Sequence, residues 1–223
     1  FTIASKFHVD VSELYSINDM RCDSRLPVSV RLVIPPSYQF PLPTFNLITK
    51  ESLANLSLIH VCNCLDKVSV VKFSPDNHIL ATASGNFVFL WQVGDWKPLA
   101  RLKGHNSKVT SLAFSDDGQT ILTGSDDTTI RLWQVKDGAL LTTFKGHFSS
   151  VTDVAFFPGS QTLVSTSRDQ TVRIWSIDGT ELKALRGYQA FSIAISPDGQ
   201  TLAIGYADSV RLWQASDFSI IRQ

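Results

Sequence analysis

Two stretches of the chain are near copies of each other. Each begins with a Gly-His pair and ends at a tryptophan, the first spanning residues 104–133 and the second residues 146–175. Trp91 precedes the first closing tryptophan by 42 residues, the interval that also separates the two copies, and Trp213 follows the second by 38. A period near forty residues is typical of repeat architectures in which each repeat forms one supersecondary unit. Four units are therefore predicted, two regular and two degenerate.

Each unit is predicted to contain four short strands. In the second unit the apolar runs that fit strands are residues 109–114, 121–125, 129–135 and 140–144. The Ser-Asp-Asp-Gly sequence at 115–118 suits a type I turn followed by a residue free to adopt positive φ, and residues 74–77 and 196–199 follow the same pattern. Charged and apolar residues alternate along the third strand, which favours a strand with one buried face over a helix.

With these features, residues 58–222 resemble the WD-repeat family of β-propellers. The resemblance implies an all-β fold with four WD-repeat blades within 58–223, at about 64–102, 103–145, 146–186 and 187–223. It also implies a hydrogen-bonded structural tetrad in each regular blade. In such a tetrad the indole N–H donates, the hydroxyl and the imidazole each donate and accept, and the carboxylate accepts. The predicted tetrads are His105, Ser125, Asp127 and Trp133 in the second blade, and His147, Ser167, Asp169 and Trp175 in the third.

The same side chains invite a second interpretation, a nucleophilic Ser-His-Asp triad. The set occurs twice at the same spacing, each time with a tryptophan, and a catalytic triad is not normally duplicated blade by blade. The chain also lacks a Gly-rich phosphate loop, a His-Glu-x-x-His sequence and a nucleophile elbow. We therefore predict no catalytic residue and no cofactor. His60, Cys62 and Cys64 suggest a metal site, but without a second ligand pair simple burial is favoured.

The outer units depart from the family pattern. Cys64 stands where histidine is expected and Asn86 where aspartate is expected, while the fourth unit has Tyr188 and Tyr206 at the histidine and serine positions. We expect lower local stability at both ends of the array.

Residues 58–62 have the pattern of an additional outermost strand. In closed members of the family such a strand completes the last blade, so the other strands of that blade are expected beyond Gln223. The prediction is an incomplete ring with open strand edges, in which expression of these residues alone gives oligomers or aggregates.

Residues 1–35 follow a different pattern, helix, helix and strand. They resemble the C-terminal part of a lysin motif (LysM) domain, a small α/β module. The matching positions are Ile3, Ala4, Phe7, Val9, Glu13, Leu14, Asn18, Val28, Leu32, Ile34 and Pro35. The resemblance implies binding of a peptidoglycan or chitin-type glycan, with Asn18, Asp19 and Met20 as candidate contacts and a bacterial cell-envelope location. The module's first strand would precede Phe1, so we expect a disabled binder, and Asn18 fits a helix C-terminal cap equally well.

Proline-rich residues 36–57 are predicted to link the two modules. Lysine plus arginine and aspartate plus glutamate each number 20, so no basic surface for nucleic acid is expected, and no apolar run approaches the roughly 20 residues that span a bilayer. Three functions remain open: a scaffold that binds a protein or peptide, a regulatory region of a larger enzyme, and a glycan or small-ligand binder. Asp126, Phe148 and Arg168 are candidate partner contacts, or solvated turn residues.

Overall fold

A computed structural model of the chain describes residues 66–187 and 189–222. The predictions for the LysM-like module with its candidate glycan contacts, for the linker, for the strand at 58–62 and for the cysteine-histidine group fall outside the described residues. Within the described part every regular element is a β-strand, and sixteen strands form four antiparallel sheets of four. Each sheet is a simple meander in which neighbours in sequence are neighbours in space.

The strands are as follows. The first sheet holds β1 (Val68–Phe73), β2 (Ile79–Ser84), β3 (Phe87–Gln92) and β4 (Pro98–Lys103). The second holds β5 (Val109–Phe114), β6 (Thr120–Ser125), β7 (Ile130–Gln134) and β8 (Leu140–Phe144). The third holds β9 (Val151–Phe156), β10 (Thr162–Ser167), β11 (Thr171–Ser176) and β12 (Glu181–Arg186). The fourth holds β13 (Ala190–Ile195), β14 (Thr201–Tyr206), β15 (Val210–Gln214) and β16 (Ile220–Arg222).

These strands confirm the prediction of an all-β fold built from four-stranded units over the described residues. In the second sheet β5 and β8 have the predicted bounds, β6 begins one residue earlier than predicted, and β7 is one residue shorter than predicted at each end. The predicted turns also form: Asn77, Gly118 and Gly199 have φ angles of 60°, 67° and 70°. The N–H of each donates to a serine carbonyl three residues earlier, at 2.9, 2.9 and 2.8 Å.

The core lies between successive sheets. Val109 and Leu112 of β5 pack against Ala81 and Ala83 of β2, and all four side chains are buried. Two further apolar clusters join the second sheet to the third and the third to the fourth. Because strands β1, β5, β9 and β13 contact one another in succession, we call them the inner strands.

Hydroxyl groups link each inner strand to the next. The second residue of an inner strand donates to the carbonyl oxygen of the first residue of the following inner strand. The three pairs are Ser69 to Val109 at 2.7 Å, Thr110 to Val151 at 2.6 Å and Thr152 to Ala190 at 2.9 Å. In β13 the equivalent position is Phe191, which has no hydroxyl.

The first sheet has an uncovered apolar face. Val71 of β1 occupies the position of Leu112 in β5, since they pair with Thr82 and Thr123 at matching points of their sheets. Leu112 is 2% exposed and Val71 is 57% exposed. Val68 and Phe73 are also exposed, and no described residue covers them. An incomplete ring would leave such a face open, and the incomplete ring remains a prediction.

Candidate functional site

A chain of buried polar groups crosses the second sheet. The Trp133 indole N–H donates to Thr123 Oγ1 at 2.9 Å, and Thr123 Oγ1 lies 2.6 Å from His105 Nε2. His105 Nδ1 lies 2.8 Å from Asp127 Oδ2. A carboxylate can only accept, so Nδ1 carries the proton and Nε2 accepts from the Thr123 hydroxyl. Donors and acceptors therefore alternate from the indole to the carboxylate.

The Asp127 end of the chain fixes the local backbone. Its carboxylate accepts the N–H of Asn106 at 2.9 Å, in the loop that follows His105. It also accepts the N–H and the hydroxyl of Thr129, at 3.0 and 2.6 Å, across the turn between β6 and β7. One carboxylate thus joins the loop before β5 to that turn.

The third sheet repeats the arrangement. Trp175 donates to Ser165 Oγ at 2.9 Å, Ser165 Oγ lies 2.8 Å from His147 Nε2, and His147 Nδ1 lies 2.8 Å from Asp169 Oδ2. Asp169 also accepts the backbone N–H of Phe148 at 2.9 Å. The two histidines are 4% and 5% exposed, and the central hydroxyls of both chains are fully buried.

The central hydroxyls are not the predicted ones, so the assignments of Ser125 and Ser167 to the tetrads are wrong. On one face of an antiparallel pair, a side chain reaches the partner-strand residue two positions from the one directly opposite. Trp133 lies opposite Ile121, and this diagonal neighbour is therefore Thr123. Ser125 lies two residues further along β6, about 7 Å more at ~3.3 Å per residue, beyond the reach of the indole. Ser167 is displaced from Trp175 in the same way.

The two serines have a different role, at the ends of their strands. Ser125 Oγ donates to the carbonyl of Ser107 at 3.1 Å and accepts the N–H of Asp127 at 3.1 Å. Ser167 makes the equivalent bonds to Ser149 and Asp169, at 3.0 and 3.1 Å. Each serine therefore supports the loop and turn that its tetrad carboxylate also joins.

The sequence does contain a signal for the correct hydroxyls. Thr82, Thr123 and Ser165 recur at the same intervals as the serines two residues later, Ser84, Ser125 and Ser167. Both series lie on the same strand face, so residue type alone does not separate them. Only the pairing register with the tryptophan strand does.

The first and fourth sheets contain only part of this set of buried hydrogen bonds. Trp91 donates to Thr82 Oγ1 at 3.0 Å, and Asn86 Nδ2 donates to the carbonyl of His105 in the second sheet at 3.0 Å. In the fourth sheet Ile204 occupies the hydroxyl position, two residues from the partner of Trp213. The Trp213 indole N–H is buried and has no hydrogen-bond partner among the described residues.

The carboxylates of both chains are held ionised. Burial raises the pKa of Asp169, but the hydrogen bonds from Thr171, from the Phe148 N–H and from His147 outweigh it and bring that pKa to about 2. The pKa of Asp127 is lowered by equivalent bonds from His105, Thr129 and Asn106, again against burial.

The imidazole of the third sheet is held neutral. Burial lowers the pKa of His147, and the opposing effect of Asp169 does not cancel it. A neutral His147 that donates its Nδ1 proton to Asp169 has the same alternation of donors and acceptors as His105 in the second sheet.

This geometry favours a structural role over nucleophilic catalysis. Each central hydroxyl is buried, accepts an indole N–H and faces the histidine, so no open side remains for a substrate carbonyl. In residues 66–187 and 189–222 no group of three or more His, Cys, Asp or Glu side chains is arranged to hold a metal ion. No helix there has the length and apolarity to cross a membrane.

The loops held by the two chains carry the candidate partner contacts. Asp126 Oδ1 accepts a short hydrogen bond from the Ser150 hydroxyl, which links the second sheet to the third. Phe148 is 84% exposed, and Arg168 is exposed in the turn beside Asp169. Asp126 is thus engaged within the protein, whereas the side chains of Phe148 and Arg168 face solvent.

Three relatives show similarity over short stretches. Periodic tryptophan protein 2 of Saccharomyces cerevisiae is 37% identical over 84 residues, covering 34% of this chain and 9% of the relative. Apoptotic protease-activating factor 1 of Homo sapiens is 34% identical over 95 residues, 42% of this chain and 7% of the relative. Protein FIZZY-RELATED 3 of Arabidopsis thaliana is 44% identical over 57 residues, 25% of this chain and 12% of the relative. The chain thus matches a small part of each relative's length.

A solved structure, described as the structure of U3-55K, matches the fold with a TM-score of 0.64. The match covers 72% of this chain and 52% of that one at 24% identity, a level that supports the fold alone.

The family model described as WD domain, G-beta repeat (WD40) matches residues 57–92, 96–134 and 138–176, together about half of the chain. The repeats at 96–134 and 138–176 are offset from the sheets by one strand. Each takes the outer strand of one sheet and the first three strands of the next, so each of these two repeats connects two sheets covalently. From this match, the four-stranded sheets and the two buried polar chains, we conclude that the chain belongs to the WD40 repeat family.

Proposed function

We propose that this protein is a non-catalytic scaffold for protein–protein interaction. WD-repeat proteins bind protein partners. The observation that carries the proposal is that both His-Asp pairs are buried and hydrogen-bonded within the protein, where they hold loops that carry exposed side chains such as Asn106 and Phe148. A rigid set of exposed loops supplies a binding surface with little loss of conformational entropy.

A regulatory region of a larger protein is the second candidate, and the length of the relatives favours it. The matched segments cover only 7% to 12% of the three relatives described above. One of these is named as a protease-activating factor, and that activity belongs to the relative. A binding module that serves a catalytic or regulatory domain elsewhere in the same protein would show the same partial match.

The envelope location and the glycan partner rest on residues 1–35 alone. The three relatives named above are eukaryotic, so they give no support to a bacterial envelope location. Sedimentation of the intact protein with insoluble peptidoglycan and with chitin tests this prediction. Retention that is lost on replacing Asn18, Asp19 and Met20 would favour it, and no retention would reject it.

Site-specific photo-crosslinking tests the scaffold function. A photoreactive amino acid is placed at Asn106 or Arg168, both exposed in loops held by the polar chains, and at Leu141 on an outer strand as the control. We expect discrete protein adducts from the loop positions in the cell of origin, and none from Leu141. Absence of adducts at both loops would contradict the scaffold. So would an enzymatic activity that His105→Gln abolishes while the fold is retained.

A further inference from the structure

A pocket lies at one edge of the third sheet, where three loops meet. It has a volume of about 230 Å³ and is lined by Phe148 from the loop before β9, Asp169 from the turn between β10 and β11, and Arg186 with Gly187 at the end of β12. Arg173 of β11 forms its inner wall. The volume is smaller than the ~300–1,000 Å³ of typical small-molecule sites and suits one or two side chains of a larger partner.

Phe148 is the apolar wall of this pocket and is held in an exposed position. Its backbone N–H is bound to Asp169, and the Arg173 guanidinium carbon lies 5.6 Å from its ring centroid. Even so, the residue is 84% exposed. The second sheet has Asn106 at this position, directly after the tetrad histidine. The hydrogen-bonded tetrad therefore forms without an aromatic side chain at this position, and in the third sheet it holds the backbone of Phe148 through Asp169.

Among the charged side chains that line the pocket, one cation forms no ion pair with the described residues. Asp169 accepts hydrogen bonds from His147, Phe148 and Thr171, so both of its oxygens are engaged. Arg173 forms an ion pair with Glu181. Arg186, by contrast, is exposed and forms no ion pair or side-chain hydrogen bond with any described residue. Its planar guanidinium presents donors in the fork geometry that matches a carboxylate.

We propose that this pocket binds an acidic segment of a protein partner, with one Asp or Glu carboxylate on Arg186 and an adjacent apolar side chain on Phe148. The inference rests on the scaffold function and names the chemistry of the partner at one place on its surface. An exposed aromatic side chain beside a guanidinium that has no ion-pair partner among the described residues provides both the apolar anchor and the charge that such a segment requires.

The repeat supplies a matched control. Strand pairing places Lys145 of the second sheet at the position of Arg186, because Ile130 pairs with Phe144 just as Val172 pairs with Leu185. Both cations are exposed. The second sheet thus has a cation at the same position without the aromatic side chain, and Lys145→Gln changes the net charge as Arg186→Gln does.

The experiment measures binding of two synthetic hexapeptide pools to the full chain by fluorescence polarisation. One pool is built from Asp, Glu, Phe and Leu, and the other replaces the acids with Asn and Gln. We expect the acidic pool to bind at least tenfold more tightly, and the difference to shrink as salt is raised. Arg186→Gln and Phe148→Asn should each weaken the acidic pool about tenfold, and Lys145→Gln less than twofold.

Equal binding of the two pools would overturn the proposal, as would equal losses in Arg186→Gln and Lys145→Gln. A phosphoserine pool without acidic residues that binds more tightly than the acidic pool would also overturn it, since the anion would then be a phosphate. If the acidic pool fails while loop adducts persist in the crosslinking experiment, the scaffold function stands and only this site is rejected.

Discussion

At the scale of single residues, Thr123 is the central residue of the second sheet's chain of buried polar groups. Its hydroxyl is the hydrogen-bond partner of both the Trp133 indole and His105 Nε2, and all three groups are buried. A buried polar group that loses its partner costs about 1–3 kcal/mol, more than an average hydrogen bond contributes. Among the members of this polar chain, loss of the central hydroxyl is therefore expected to lower the stability of the protein most.

Thr123→Val keeps the side-chain shape and removes that hydroxyl. We expect it to lower the free energy of unfolding by about 2–4 kcal/mol, because two buried groups lose their partner. Ser125→Ala removes the bonds to the Ser107 carbonyl and from the Asp127 N–H, and it should cost less, about 1–2 kcal/mol, because both backbone groups belong to half-buried loop and turn residues. Urea unfolding of both variants measures the difference. A larger loss in the Ser125 variant would restore the assignment made from the sequence.

The stability of the protein should also decrease as the pH is lowered through two ranges. The pKa values of His147 and Asp169 are both lower in the folded protein than their ordinary values of 6.5 and 3.8. The unfolded chain therefore binds more protons in both ranges, and stability is lost as the pH decreases. The melting temperature should decrease below pH 6.5, and again from about pH 4 towards about pH 2.

The variant His147→Gln isolates the upper range. Its melting temperature will be lower throughout, but it should change less between pH 7 and 5 than that of the wild type. A wild-type melting temperature that rises as the pH falls through 6.5 would contradict the neutral assignment of His147.

At the scale of strands and sheets, the sequence predicted the strand bounds but missed two sets of side-chain hydrogen bonds. Alternation, Asp-Gly turns and the tryptophan period predicted the strands of the second sheet to within a residue at either end. They did not identify Thr123, because Ser125 lies on the same strand face and belongs to a series with the same intervals. The bonds between inner strands were also missed, since a threonine in a strand carries no mark of which backbone carbonyl it will meet.

Thr110 tests those inter-sheet bonds. Thr110→Val removes the 2.6 Å bond to the Val151 carbonyl and should lower the free energy of unfolding by about 1 kcal/mol. Thr143→Val is the control, because that half-buried threonine of β8 makes no side-chain hydrogen bond with the described residues. Equal losses in denaturant unfolding of the two variants would show that the bond between the sheets contributes nothing.

At the scale of the whole described unit, the two middle sheets are held by polar chains and by sheets on both sides. The first sheet instead exposes Val68, Val71 and Phe73, and the fourth buries an indole N–H that lacks a partner among the described residues. Stability is therefore expected to be highest in the middle, where the loops of the proposed binding surface lie.

The exposed face of the first sheet predicts self-association of this 223-residue chain. An uncovered apolar strand face attracts another copy, because burying it removes apolar surface from water. Light scattering should show species larger than a monomer, and Val71→Lys should reduce them. A monodisperse monomer of the wild type would mean that another part of the chain covers this face.

The central claim is that the buried polar chains hold the loops of an interaction surface. The most direct measurement is amide hydrogen exchange of Phe148, whose side chain is exposed while its N–H is bound to Asp169. The account predicts a protected amide in the wild type and loss of that protection in Ser165→Ala, which breaks the chain at its central hydroxyl. A freely exchanging amide in the wild type, or unchanged protection in the variant, would contradict it.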